Sequence, residues 1–154
     1  MVERSVAHGS FAIERTFRAP PAMVFAAWAE QAAKGRWFAA APDGWTTALY
    51  ELDFRVGGRE VWRGGPNDGP EHAFAGHYLD IVPNERIIYA YDMHLGTARI
   101  SVSLATVEFH ADGSGTRMLF TEQVAFLDGL DHLAQRRAGT EELLDLLVGE
   151  VEGG

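Results

Sequence analysis

Hydrophobic and polar positions alternate most clearly between Phe74 and Met93, where the chain reads FAGHYLDIVPNERIIYAYDM. Two runs of strand-forming residues flank the polar turn Pro83-Asn84-Glu85-Arg86. The second run sets Ile87, Tyr89, Tyr91 and Met93 on one face at a period of two. The pattern predicts a hairpin whose tyrosine and methionine face is an inner wall. Buried tyrosine hydroxyls need hydrogen-bond partners, and a ligand can be one of them. Phe11 to Arg18 alternates in the same way, with Phe11, Ile13, Arg15 and Phe17 against Ala12, Glu14, Thr16 and Arg18. It predicts a first strand, preceded by a loose tail over residues 1–9.

The period changes after Ala19-Pro20-Pro21. Proline is tolerated in the first turn of a helix, and Val24, Phe25 and Trp28 follow at helical spacing. Gln31 to Phe38 reads as a second short helix that buries Trp37 and Phe38. Strand periodicity then returns in Thr46 to Val56 and Arg59 to Gly64, joined by Gly57-Gly58 as a pair of positive-φ turn residues. The stretch GGPNDGPEH is a loop, followed by the Phe74–Met93 hairpin. Thr97 to His110 is a long alternating strand, turned by Asp112-Gly113-Ser114-Gly115 into Thr116 to Phe126. Asp131 to Val151 is the longest helical pattern. Its apolar stripe is Leu133, Leu143, Leu144, Leu147 and Val151, and Gly139 interrupts it at a cost of about 1 kcal/mol relative to Ala. An antiparallel sheet with helices packed on one face is an α+β arrangement.

Composition narrows the function classes. At 154 residues the chain is one domain, 1–154, large enough to bury a core. A formal net charge of -9 argues against nucleic acid and anionic membrane surfaces as partners, because both are bound through Lys and Arg. There is no cysteine, hence no disulfide, thiolate metal site or cysteine nucleophile. No apolar stretch has the length of a membrane span and the N-terminus lacks a signal-peptide core, so a cytoplasmic location is expected. Lys34 is the only lysine, which fits the Arg-biased codon usage of a GC-rich genome.

Several local motifs occur in a telling order. Arg15-Thr16-Phe17-Arg18-Ala19-Pro20 precedes Val24-Phe25 and Trp28, and Trp37-Phe38 ends the second helix. Asp53-Phe54-Arg55-Val56-Gly57-Gly58, the Gly76–Tyr91 hairpin and Gly115-Thr116-Arg117 with Thr121-Glu122 follow. This set resembles the SRPBCC superfamily, with its START-like or helix-grip fold, and within it the family named for the activator of the heat-shock protein 90 ATPase. The resemblance implies a curved antiparallel sheet of six to seven strands wrapped around a long C-terminal helix, with two short helices after the first strand. Many relatives carry Gly-Trp in the last helix where this chain has Gly139-Thr140, which points to an altered cavity end. Superfamily functions range from lipid and polyketide binding to cyclases, dehydratases and co-chaperones, so the resemblance names a container and not its use.

The candidate site residues are Arg15, Trp37, Trp62, His77, Tyr89, Tyr91, Met93 and Glu122. Arg15 shares a strand face with Phe11, Ile13 and Phe17, and a buried guanidinium needs a partner. Glu122, on the face of Met118, Phe120 and Val124, is the natural one, either as a structural pair or as a polar anchor for ligand. His77, on the face of Leu79 and Ile81, could serve as a general acid or base, although a satisfied wall histidine is the commoner case. Trp37, Trp45 and Trp62 are candidates for the mouth. Ser101, Ser103 and Ala105 could form a small-residue wall, or face outward with Ile100, Val102 and Leu104 inside. The histidines lack metal-ligand spacing, and no His-Glu-x-x-His, nucleophile-elbow, P-loop or Rossmann signature appears, so no metal or cofactor is expected.

Three functions follow. The first is binding of a small hydrophobic or amphipathic molecule in an internal cavity. The second is a cyclase or dehydratase acting on a polyketide-like substrate, which requires His77 and Glu122 to converge. The third is a stress-related co-chaperone, which predicts a large exposed patch and no cavity. A homodimer through an exposed strand or the last helix is compatible with all three.

Overall fold

A computed structural model describes residues 3–153. The elements run β1 (Val6–Phe17), α1 (Pro21–Ala29), α2 (Gln31–Phe38), β2 (Trp45–Leu52), β3 (Arg59–Pro66), β4 (His72–Val82), β5 (Arg86–Leu95), β6 (Ala98–Asp112), β7 (Gly115–Leu127) and α3 (Leu133–Glu152). The strands form one seven-stranded sheet in the order β1-β7-β6-β5-β4-β3-β2, and every neighbouring pair is antiparallel. Consecutive strands pair from β2 to β7, and β1 closes onto β7, so α1 and α2 span the sheet from one edge to the other. The long C-terminal helix packs against α2, β1 and α1 on the sheet's inner face. This is the α+β helix-grip arrangement.

Two local expectations need correction. β1 begins at Val6, well inside the stretch expected to be a loose tail, and pairs with β7 from Val6↔Leu127 onward; Met1 and Val2 lie outside the described residues. At Gly57-Gly58 only Gly57 takes a positive φ, of 84°. Gly58 is needed for a different reason: a Cβ there would run into the Asp53 carbonyl oxygen, and the Gly58 N–H closes the turn onto Arg55 O.

Inner-face positions line up across the sheet because paired residues share a face. One row runs Tyr78–Tyr89–Ala105–Glu122–Phe11 and the next runs Glu60–Gly76–Tyr91–Ser103–Val124. Ser101, Ser103, Ala105, Val107 and Phe109 of β6 are buried while Val102 and Leu104 are exposed, which decides the face left open by periodicity. The core fills this concave side unevenly. At one end α1 lays Val24 and Phe25 over β6 and β7, and Phe25 makes edge contacts with Phe54 and Phe109 at ring-centroid distances of 5.6 and 5.5 Å. Along α3, Thr140, Leu144 and Leu147 are buried, whereas Leu133, expected on the apolar stripe, is 37% exposed. Among the described residues, nothing comparable fills the other end of the concavity.

Candidate functional site

That unfilled end is a cavity of about 840 Å³ between α3, α2 and the inner faces of β3 to β7. Its wall is mostly aromatic, because β5 and β7 point ring-bearing residues inward at period two and the Trp37-Phe38 pair comes down from α2. All four tryptophans of the chain (Trp28, Trp37, Trp45 and Trp62) line it. Phe74 stacks on Tyr91 at 4.7 Å and Phe38 meets Phe74 edge-on at 5.1 Å, so the rings brace one another and hold the space open. Gly139 and Thr140 of α3 face the cavity, and a Cβ built on Gly139 meets no atom within 4 Å. Gly139 and Thr140 therefore border open volume.

Polar groups gather at one end. Glu122, 1% exposed, accepts hydrogen bonds from the Tyr91 hydroxyl at 2.8 Å, from Ser103 Oγ at 2.9 Å and from Arg136 Nη1 at 3.1 Å. Arg136 Nη2 reaches Ser101 Oγ at 2.6 Å and Asp131 Oδ2 at 3.0 Å. The small Ser101 and Ser103 make room for this guanidinium, whose carbon lies 5.9 Å from the Tyr91 ring centre and 5.6 Å from that of Phe126. Burial pushes the Tyr91 hydroxyl pKa up, and the neighbouring Glu122 charge adds to it. Burial works against the Arg136 charge, but Tyr91, Glu122 and Asp131 outweigh it and its pKa rises.

A second buried network lies behind the wall. Lys34 Nζ, completely buried, donates to Glu60 Oε1 at 2.8 Å, and Glu60 also accepts from Tyr78 at 2.8 Å and from Tyr50 at 2.6 Å. The ammonium sits 4.6 Å from the Phe38 ring centre and 5.1 Å from that of Trp28, both cavity-lining rings. Burial lowers the Lys34 pKa, and the Glu60 charge opposes that. The pair ties α2 to β3 and so sets the position of Trp37 and Phe38.

Of the residues singled out in the sequence, Trp37, Trp62, Tyr89, Tyr91, Met93 and Glu122 line the cavity. Arg15 does not: it sits where α3 covers β1 and bonds Asp145 Oδ1 at 3.0 Å and the Glu14 carbonyl. The Arg15–Glu122 pair is replaced by Arg136–Glu122. His77 is exposed on the outer face, opposite Ala90, while Glu122 points inward. The sheet thus separates the acid–base pair that the cyclase or dehydratase reading requires. Periodicity missed Arg136, Asp131 and the Lys34–Glu60 pair. Arg136 carries a readable signal, since its spacing to Thr140, Leu144 and Leu147 places it on the buried stripe of α3.

Residues 18–152 match the family model described as activator of Hsp90 ATPase homolog 1-like protein. The chain belongs to this family. Among solved structures it is similar to an uncharacterized protein of Rhizobium leguminosarum, with 50% identity, 99% of each chain covered and a TM-score of 0.94. A protein of Rhizobium loti is 44% identical over 95% of this chain and 99% of that one, with a TM-score of 0.88. The Micromonospora echinospora protein CalU16, 18% identical over 98% of this chain and 86% of that one with a TM-score of 0.63, shares the fold. No curated protein matches the chain. This family therefore supplies the architecture, and the reading of the site rests on its geometry.

Proposed function

We propose that this family member binds one small, largely apolar molecule in the cavity between α3 and the concave sheet. The observation that carries the reading is the cavity of about 840 Å³ with an aromatic wall and one polar end. Pockets for ligands of drug size fall in the range of about 300–1,000 Å³ and combine such walls with a few polar anchors. Leaving this volume empty forfeits dispersion contacts around every lining ring, so an occupant of matching shape is favoured. One wall residue also has an unpaired donor: Trp28, 2% exposed, has an indole Nε1–H without a hydrogen-bond partner among the described residues. An acceptor on a bound molecule, or a buried water, would complete it. The cavity weighs against the co-chaperone alternative, which predicts a filled interior and an exposed patch.

Native mass spectrometry of the purified protein, with thermal-shift screening against lipids and aromatic polyketides, tests the reading. A ligand at a hundred times its Kd adds about 2.7 kcal/mol, or a rise in Tm of roughly 5–10 °C for a chain of this size. An unchanged melting point across apolar probes, with no adduct in the mass spectrum, contradicts it.

A further inference from the structure

We infer that the cavity selects amphipathic amines, molecules with an apolar body and a protonated nitrogen, over carboxylates of the same shape. The inference rests on the binding function proposed above and names its ligand class. It follows from where charge is spent. In the buried polar end Arg136 is 10% exposed in its side chain, Glu122 1% and Asp131 9%, so two carboxylates face one guanidinium. Glu142, also on the cavity lining, adds a third carboxylate nearer the solvent. Both terminal nitrogens of Arg136 are engaged: Nη1 serves Tyr91, Ser103 and Glu122, and Nη2 serves Ser101 and Asp131. The other cations near the wall offer nothing to an anion. Lys34 is matched by Glu60, and burial lowers the pKa of His72, which favours its neutral form.

A ligand carboxylate that takes the Nη2 face of Arg136 displaces Asp131, and anywhere at this end it sits beside two like charges. A protonated amine meets the reverse situation. Asp131 is the open partner, with Oδ1 accepting from the His132 N–H at 2.8 Å and Oδ2 from Arg136, which leaves lone pairs on both oxygens. The aromatic wall adds ring faces that attract a cation, and partial exclusion of water strengthens each of these terms. The charged end lies at the N-terminal turn of α3, and the apolar body would extend along the rings toward Trp37 and Trp62.

Dodecylamine, dodecanoate and dodecanol isolate the head group on a constant tail. Binding of each to the full chain is measured at pH 7 by isothermal titration calorimetry below the micellar range, with stoichiometry fitted. The amine is expected to bind one to one and at least about tenfold more tightly than dodecanoate, with dodecanol between them. Asp131→Asn is expected to lower amine affinity several-fold and raise that of dodecanoate, leaving dodecanol unchanged. Gly139→Phe, which fills the cavity, is expected to abolish saturable binding of all three and so separates the site from amine adsorption on an acidic surface. Equal or tighter binding of dodecanoate while dodecanol binds overturns the amine preference and leaves the cavity function standing. Failure of all three to bind overturns both. The wild-type comparison decides the matter even if Asp131→Asn does not fold.

Discussion

Replacing Glu60 by Gln removes one charge from the buried pair and leaves the other. Lys34 and Glu60 are 0% and 1% exposed in their side chains and 2.8 Å apart, so Lys34 would lose its buried counter-charge. Breaking a buried pair from one side costs about 3–5 kcal/mol. The cost has a ceiling, because the orphaned lysine can shed its proton. Keeping it neutral at pH 7 against an unfolded value of about 10.4 costs about 4.6 kcal/mol, at 1.36 kcal/mol per pH unit. Against a total of about 5–15 kcal/mol, that loss is a large fraction of the fold's stability. The neutral lysine also dictates a pH signature. Burial already lowers the Lys34 pKa, and removing Glu60 removes the influence that opposes it. The unfolded variant then binds one proton more than the folded one, so its stability rises with pH between 7 and about 10, by up to about 1.4 kcal/mol per unit. Removing both charges with Lys34→Met and Glu60→Gln together is expected to restore stability to within about 1.5 kcal/mol of wild type. Urea denaturation at pH 7, 8 and 9 measures all of this. A loss below about 1 kcal/mol, or one that does not shrink as pH rises, would refute the assignment of Lys34–Glu60 as a buried ion pair that holds α2.

Other consequences can be checked with simple spectroscopy. All four tyrosines (Tyr50, Tyr78, Tyr89 and Tyr91) have their pKa raised, chiefly by burial, so tyrosinate absorbance should appear only together with unfolding. Their contribution is present below about pH 10 and lost above it, by up to about 1.4 kcal/mol per pH unit for each fully sequestered ring; ordinary titration near pH 10 in the folded protein contradicts this. Gly139→Ala should stabilise by about 0.5–1 kcal/mol in urea melts, because the position is helical and its Cβ is unobstructed. Arg136→Met strands the buried Glu122 with two hydroxyl donors, and should cost about 3–5 kcal/mol at pH 7 by the same denaturation assay.

The fold was legible because nearly every element keeps one period over its length. The change from alternation in Phe11–Phe17 to helical spacing at Val24, Phe25 and Trp28 placed the first boundary within a residue or two. The Tyr89, Tyr91 and Met93 wall was legible for the same reason. His77 shows where parity is not enough. It shares a face with Leu79, which suggests an interior, yet Leu79 is 49% exposed and a register shift follows between Tyr78 and Asp80. Arg15 lies on the inner face as expected, but its partner was decided by which stretch of α3 crosses β1, and a strand pattern holds no such information. Lys34 and Glu60 meet across 26 residues through the docking of a helix on a sheet. Only the isolation of Lys34 as the single lysine hinted at it, and composition offered a simpler explanation.

The proposed ligand occupies the space walled by Trp28, Trp37, Trp45 and Trp62. Because these are all the tryptophans in the chain, intrinsic fluorescence is a report from the cavity wall. The direct measurement is a titration with a brominated dodecanol, whose bromine quenches indole emission on contact. Saturable one-to-one quenching of most of the emission, prevented by Gly139→Phe, is the expected result. Weak quenching that grows linearly with probe and is the same in the variant would contradict it.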